Sequence, residues 1–442
     1  MSHVWLARNQ PHHLVAAKGA PEAIVDLCHL DDECAAKIEA AAAQLADEGL
    51  RVLGVARGKL LRDDSDWPSC QHDIDFTFVG LLGLQDPLRP GVILSIAKCH
   101  AAGIRVVMVT GDHPRTAQSI ARELGLATDQ VLTGADLNVL SDEELQYHLH
   151  HVQVFARIVP QQKLRLVEAL KANGEIVAMT GDGVNDAPAL KAAHIGVAMG
   201  VRGTDVAREA AALVLLDDDF TSLVASIRLG RRIYANLRRA MSYALSAHIP
   251  IVGLALLPVF LGAPMLLMPA HIMFLELIIG PACSVFFEAE GDEPSSMQRP
   301  PRAASETLFS GGRLATSLLQ GLLTLAVSIA VYGVAVRYSD DENTVRALVF
   351  TSMVSGNIAL VLCNRFASET LSNPSLKWIV FGTLSGLLGV LFIPGLRTLF
   401  YFSGEPLPLI LVALLVAFLV WFAGRAARRL LDTRHVADES HR

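Results

Sequence analysis

The segment EIVAMTGDGVND (175–186) decides the fold. Its first half is a continuous apolar run, which suits a strand buried on both faces of a parallel sheet. Its second half ends that run abruptly in Thr-Gly-Asp. An earlier segment, IRVVMVTGD (104–112), has the same design. Helical patterns flank both: HPRTAQSIARELG follows the earlier segment and PQQKLRLVEALKANG precedes the later one. Strands alternating with helices predict a doubly wound α/β domain, whose ligands bind at the carboxyl ends of strands. Both TGD loops fall at such ends.

The loop after the second strand has a phosphate and metal logic. Gly181 and Gly183 let the backbone turn tightly and approach a ligand. Asp182 and Asp186 place two hard carboxylates on one loop, suited to Mg²⁺ bound together with phosphate and water. Asn185 adds a hydrogen-bonding amide. In the earlier loop, Thr110 and the amide of Gly111 are placed to hold phosphate oxygens. Lys163, at the head of its helix, supplies a positive charge to a transferring phosphoryl group.

Composition divides the 442 residues sharply. The chain is 52% hydrophobic and only 18% charged, against about a quarter charged for soluble domains. The apolar excess lies beyond residue 230, in six segments long enough to span a bilayer: 241–261, 265–287, 314–336, 345–363, 376–393 and 406–423. Arg228, Arg231, Arg232, Arg238, Arg239, Arg425, Arg428 and Arg429 fall on the side shared with the soluble half. The opposite loops carry only Arg337, Arg346 and Arg397. The positive-inside rule therefore places the soluble half and both termini in the cytoplasm. A net charge of −7 argues against a nucleic-acid partner. Six cysteines without a C-x-x-C pair argue against a zinc module.

TGDGVNDAPALKAAHIGVAMG (180–200) resembles the signature hinge segment of P-type cation-transporting ATPases. KGAPE (18–22), DPLRP (86–90), MVTGDHPRTA (108–117), ARIVPQQK (156–163), GTDVAREAAALVLLDDDF (203–220) and QRPPR (298–302) stand in the family's order, the last as in its calcium-pump-like branch. The resemblance implies a haloacid-dehalogenase-like α/β domain, a partial nucleotide-binding domain and an all-α bundle holding the family's last six spans. It implies ATP and Mg²⁺ as cofactors and a transported cation. On this likeness Asp182 binds Mg²⁺ with support from Asn185 and Asp186, and Thr110 and Lys163 contact the phosphoryl group within a loop completed by Gly111 and Asp112. Lys18, Gly19 and Arg51 match positions facing ATP, and Asp86 matches an aspartate near the nucleotide at the hinge. The expected divisions are 1–75 (nucleotide-binding), 76–230 (phosphorylation), 231–430 (transmembrane) and 431–442 (tail).

The family phosphorylates the aspartate of a DKTGT motif, which is not among these residues. Its strand normally occupies the centre of the parallel sheet, so two buried edges are expected to lack a partner. The expectation is a carboxyl-terminal portion of a pump, inactive alone. The alternatives are half of a split pump, completed by a second chain carrying the actuator domain and DKTGT strand, or a membrane-anchored phosphatase or regulatory subunit. The phosphatase would need Asp73 or Asp75 as nucleophile, but WPSCQH, not an apolar strand, precedes them.

Ionisable groups inside spans are expensive and mark candidate function. Glu276 lies within HIMFLELIIGPACSVFFEAE and His248 within SAHIPIVG, where Pro250 and Pro281 can break helices and free backbone carbonyls. The calcium-pump-like branch carries carboxylates at positions matching Gly280 and, in animal pumps, Ile251. Ser355 and Asn357 read as interhelical hydrogen-bonding groups, and His148, His150 and His151 as a solvated turn.

Overall fold

The computed structural model describes residues 1–5, 12–61, 70–85, 87–293, 295–303, 306–308, 311–364, 374–403 and 406–439. They form two compact units, Met1–Ser226 with Met297–Pro301, and Ile227–Ser296 with Arg302–Arg442.

The first unit opens with an antiparallel sheet of β1 (Ser2–Trp5), β2 (His12–Gly19), β3 (Arg51–Leu61) and β4 (Phe76–Leu84), paired in that order. Between β2 and β3 come α1 (Pro21–Leu27) and α2 (Asp32–Asp47), the latter started by Asp31, whose carboxylate accepts the amide of Cys34 at 2.8 Å. Val15, Ala17, Ile24, Ala56 and Phe76 make the core between sheet and helices. The boundary expected after residue 75 falls inside this sheet. β4 pairs with β3 from Phe76↔Gly58 to Leu84↔Arg51. Phe76 is buried in the same core cluster as Val15 and Ala56.

The parallel sheet is present as two three-stranded halves. One half runs β5 (Met108–Val109), β7 (Val154–Ala156), β6 (Val131–Thr133). The other runs β8 (Ala178–Gly181), β9 (Ile195–Met199), β10 (Leu213–Leu215). α3 (Val92–Ala101) leads into β5, and the crossover helices are α4 (Pro114–Glu123), α5 (Gly134–Val139), α6 (Asp142–His148), α7 (Pro160–Ala172), α8 (Ala187–Ala192) and α9 (Asp205–Ala210). Proline stands in the first turn of α4, α7 and α8, where its missing N–H leaves no helical bond unmade. Thr133 with Asp136, and Ser141 with Glu144, form capping boxes on α5 and α6. β5 and β8 are the end strands of their halves, and no described strand pairs with their outer edges. Of the apolar run 104–109, only Met108 and Val109 are strand, because a single neighbour, β7, holds them.

The second unit is helical. Among the described residues, six helices are long and apolar enough to cross a membrane, matching the number read from the sequence. They are α10 (Phe220–Leu261), α11 (Pro269–Pro281) with the π-helical turn Ala282–Phe286, α12 (Gly311–Tyr338), α13 (Glu342–Cys363), α14 (Pro374–Phe392) and α16 (Pro406–Glu439), with the short α15 (Pro394–Leu399) before the last. α13 is the enclosed member, packed against α12 and α16. Gly321 and Gly253 permit close packing: a Cβ on Gly321 would lie 2.5 Å from Ile249, and one on Gly253 2.5 Å from Leu325. His271 is wholly buried among Phe350, Phe400 and Phe402. Its Nδ1 accepts the Met268 amide at 3.1 Å and its Nε2 donates to the Phe400 carbonyl at 2.8 Å.

Candidate functional site

The TGD loop after β8 is built on Asp186. Its Oδ2 accepts the amides of Asp182 and Gly183 at 3.3 and 3.2 Å, closing a tight turn. Gly181 is obligatory there, since a Cβ would sit 2.6 Å from the Asp186 Cβ. Lys163, in the first turn of α7, donates to Asp186 Oδ1 at 2.6 Å. Asp186 is 6% exposed and thus committed within the protein. Asp182 is exposed, and its carboxylate makes no ion pair or hydrogen bond among the described residues. Its carbonyl accepts the amide of Thr204 at 2.8 Å, tying the loop to α9. Asn185 is also exposed on the short 3₁₀ turn Val184–Asp186.

In the loop after β5, Thr110 Oγ1 donates to Asp112 Oδ2 at 3.0 Å and accepts the Asp112 amide at 3.1 Å. Its backbone bridges Phe155 and Ile158, so β7 and the following turn hold it. Gly111 is exposed, its nearest would-be Cβ neighbour being the Ile158 carbonyl at 3.9 Å.

Between β5 and β8 lies an apolar slot. Val107 and Val109 form one bank, Val177, Ala178 and Met179 the other, with Leu166, Leu170 and Lys163 of α7 also lining it. Both TGD loops follow directly from the strands that flank this slot. The structure thus joins the neighbourhoods of Thr110, Lys163, Asp182 and Asp186.

Lys18 and Arg51 lie on the antiparallel sheet. Lys18 pairs with Val55, so Lys18, Val55 and Arg51 share the face opposite Val15 and Ala17. Gly19 pairs with Gly54 on the core face, close to Ile24. Arg51 Nε stands 3.8 Å from Asp112 Oδ1, which links this face to the TGD loop. Asp86 lies outside the described residues.

Two linking residues were not singled out by sequence. Arg157, at a positive φ of 55°, donates to Glu22 at 2.5 Å. Burial works to raise the Glu22 pKa, but its own backbone hydrogen bond and Arg157 hold it below the ordinary glutamate value. Both lie inside quoted motifs, ARIVPQQK and KGAPE, and that was the available signal. Asp218, in the DDDF run, accepts the amides of Val201 and Arg202 at 3.0 and 2.9 Å, while Arg89 of DPLRP donates to its carbonyl. Asp73 accepts the Cys70 amide at 3.1 Å as a turn cap, not at the end of a strand.

For Mg²⁺, Asp182 offers one unengaged carboxylate, a set that suits an ion completing its octahedron with phosphate oxygens and waters. No group of three or more His, Cys, Asp or Glu side chains suited to a metal is found among the described residues, the histidine run at 148–151 included. In the helical unit, His248 Nε2 and Glu276 Oε1 meet at 3.2 Å. Ile251 is buried and Gly280 opens onto free space.

A haloacid-dehalogenase-like α/β domain followed by a helical region with six candidate membrane spans defines the class of membrane protein. Comparison with known proteins agrees. Residues 14–194 match the haloacid dehalogenase-like hydrolase family, and residues 264–430 match the cation transporting ATPase C-terminus family. The chain is 37% identical over 383 residues to calcium-transporting ATPase 1 of Bacillus cereus, covering 81% of this chain and 43% of that protein. It is 35% identical over 411 residues to a calcium-transporting ATPase of Bacillus subtilis, covering 88% and 45%. It is 39% identical over 337 residues to probable cation-transporting ATPase F of Mycobacterium tuberculosis, covering 73% and 37%. The chain belongs to the P-type cation-transporting ATPases and is an integral membrane protein. It spans less than half the length of these curated relatives.

Proposed function

We propose that these 442 residues form the phosphate-handling and membrane portion of an ATP-driven cation pump. In this reading the phosphoryl-accepting aspartate arrives on a strand from outside them. The observation that carries the reading is the slot between β5 and β8, two strand edges without a described partner, lined by valines and bordered by Lys163. An apolar strand in that slot would complete the backbone hydrogen bonding of both halves and place its last residue between the TGD loops.

There Thr110 Oγ1 and the Gly111 amide bind oxygens of the transferring phosphoryl group. The Lys163 ammonium, held in place by Asp186, stabilises the charge that develops on it. Asp182 would hold Mg²⁺, which supplies charge neutralisation on the phosphate oxygens. Lys18, Gly19, Arg51 and Asp86 serve the nucleotide, and Asp112 keeps Thr110 oriented. The soluble unit lies in the cytoplasm with both chain termini, as the arginine asymmetry of the loops indicates. The strand reaches the slot from the same polypeptide or from a second chain that also carries the actuator domain.

The 442-residue chain, given ATP and Mg²⁺ in detergent, is expected to yield no acid-stable acyl phosphate. Co-expression with a segment bearing the actuator domain and a DKTGT strand should restore acyl phosphate. Its formation by the 442 residues alone overturns the reading.

A further inference from the structure

We infer that Gln162 is a positioning residue for the phosphoryl site, fixing where Lys163 stands relative to Thr110 through the head of α7. Its consequence for catalysis rests on the pump reading above, whereas the geometry does not. Gln162 is 8% exposed. Its Nε2 donates to the Gly134 carbonyl at 2.7 Å and to Asn138 Oδ1 at 2.8 Å, while its Oε1 accepts the Val159 amide at 3.1 Å. Both hydrogens of the amide nitrogen are thus used. The partners also dictate which way the amide faces, since a backbone carbonyl only accepts and a backbone amide only donates. Any shift of this enclosed side chain leaves buried polar groups unpaired, so it holds its neighbours in one arrangement.

Those bonds join the elements that carry the phosphate ligands. α7 follows Val159, whose side chain cannot cap a helix, so the Gln162 oxygen satisfies the amide at its start. The preceding Ile158 amide donates to the Thr110 carbonyl at 3.0 Å, and the Arg157 amide to the Asp112 carbonyl at 3.1 Å. The turn that Gln162 grips is therefore the turn that touches the TGD loop after β5. Thr110 is also held by β7 through the Phe155 carbonyl, so it keeps its place without Gln162. On its other side Gln162 mounts α7 on α5, and Arg165 adds to the mount by donating to the Leu137 and Leu140 carbonyls. Gly134 is required for the fit: a Cβ there would strike the Arg157 carbonyl and lie 2.7 Å from Gln162 Oε1. Lys163, about 100° further round the same turn, reaches Asp186 at 2.6 Å. Asp186 aims the tip of the lysine and Gln162 fixes its base. Stabilisation of a transferring phosphoryl group is lost when a charge moves by about 1 Å. Loosening the base therefore costs rate, not affinity for the nucleotide, which is assigned to Lys18 and Arg51 on the antiparallel sheet.

The test uses the full chain co-expressed with a segment bearing the actuator domain and a DKTGT strand. Gln162→Met keeps the length of the side chain and removes its hydrogen bonds. It is expected to slow acyl phosphate formation per folded molecule at least about tenfold, with the KM for ATP within about twofold of wild type. In a Lys163→Ala background the same change should cost less than about twofold, because the group it positions is gone. A rate within about twofold of wild type, or fully additive losses, overturns the role in catalysis; a buried amide that only stabilises the fold would give one of these. A second readout needs no ATP: limited acetylation of the 442-residue chain, followed by mass spectrometry. Lys163 should react at least about threefold faster in Gln162→Met, with Lys171 at the far end of α7 unchanged within about twofold. Equal reactivity of Lys163 in the two chains overturns the positioning itself. If the wild-type pair forms no acyl phosphate, the pump reading fails and the acetylation alone decides whether Gln162 holds Lys163. Should Gln162→Met fail to fold, Gln162→Glu, which keeps the bond to Val159 and loses the one to Gly134, is read by the same criteria.

Discussion

Lys163 and Asp186, 23 residues apart, meet at 2.6 Å across the head of α7 and the turn after β8. The same carboxylate accepts two backbone amides on its other oxygen. One side chain thus shapes the loop and aims the ammonium, which leaves Asp182 as the carboxylate open to solvent. Two aspartates four positions apart in sequence have different tasks because only one of them is enclosed.

That division predicts opposite phenotypes. Asp186→Ala strands Lys163 and two amides in a site that is nearly closed, and should cost about 2–4 kcal/mol of stability. Asp182→Ala should change stability by less than about 0.5 kcal/mol while weakening Mg²⁺-dependent phosphate binding. Thermal exposure of the buried Cys28 and Cys99 thiols measures the first effect in the intact chain. Equal losses in the two variants would contradict the assignment.

Gly181→Ala drives a methyl group into Asp186, whose Cβ lies 2.6 Å from the new atom. Destabilisation of about 1–3 kcal/mol is expected from the displaced turn. Because the injury acts through Asp186, Gly181→Ala should cost markedly less in an Asp186→Ala background. Additive losses in this double-mutant cycle would place the clash elsewhere.

His113 caps α4 by accepting the Arg115 amide on Nδ1 at 3.3 Å. Burial, with Arg157 and Arg115 nearby, lowers its pKa below the usual 6.5 against the opposing pull of Glu22 and Asp47. The unfolded chain therefore binds the proton first. The stabilisation is fully present above about pH 6.5 and is lost as pH falls through the lower folded value. His113→Asn keeps a capping acceptor that does not titrate, so it should flatten the stability profile between about pH 5 and 7. An unchanged slope in that window would assign the acid sensitivity to other groups.

Asn357 is 1% exposed in α13, and neither its amide nitrogen nor its oxygen has a partner among the described residues. The expected interhelical hydrogen bond is absent there, whereas Ser355 bonds back to the Thr351 carbonyl of its own helix at 2.7 Å. Asn357→Leu should therefore be neutral or stabilising by up to about 2 kcal/mol, since it removes a desolvated amide. Size-exclusion profiles after heating report this directly. A loss above about 1 kcal/mol would reveal a polar partner for the amide.

Much of this architecture was legible in the sequence because the signals are local. Apolar runs that stop at Thr-Gly-Asp announced strands with loops at their carboxyl ends, and hydropathy alone counted the six spans. Asp186 and Lys163 were both named as site residues, but their ion pair was not foreseen, since contact across 23 residues depends on how α7 lies over β8. The boundary after residue 75 shows the converse. FTFVGLLGL reads as a strand from its own residues, but its pairing with β3 and the burial of Phe76 appear only once the chain has folded.

Residue order by itself determined the strand–loop–helix units, the candidate site residues at the strand ends and the division into mixed and apolar halves, since each follows from neighbours within a few positions. Tertiary structure decided which carboxylate is enclosed, that Arg51 ties the antiparallel sheet and Arg157 ties α1 to the TGD region, and that His248 faces Glu276. It also showed the parallel sheet as two halves flanking a slot between β5 and β8. The physical reason is the same in each case: hydrogen bonds and ion pairs depend on distances of a few ångströms between atoms remote in sequence, and those distances exist only once the chain has packed.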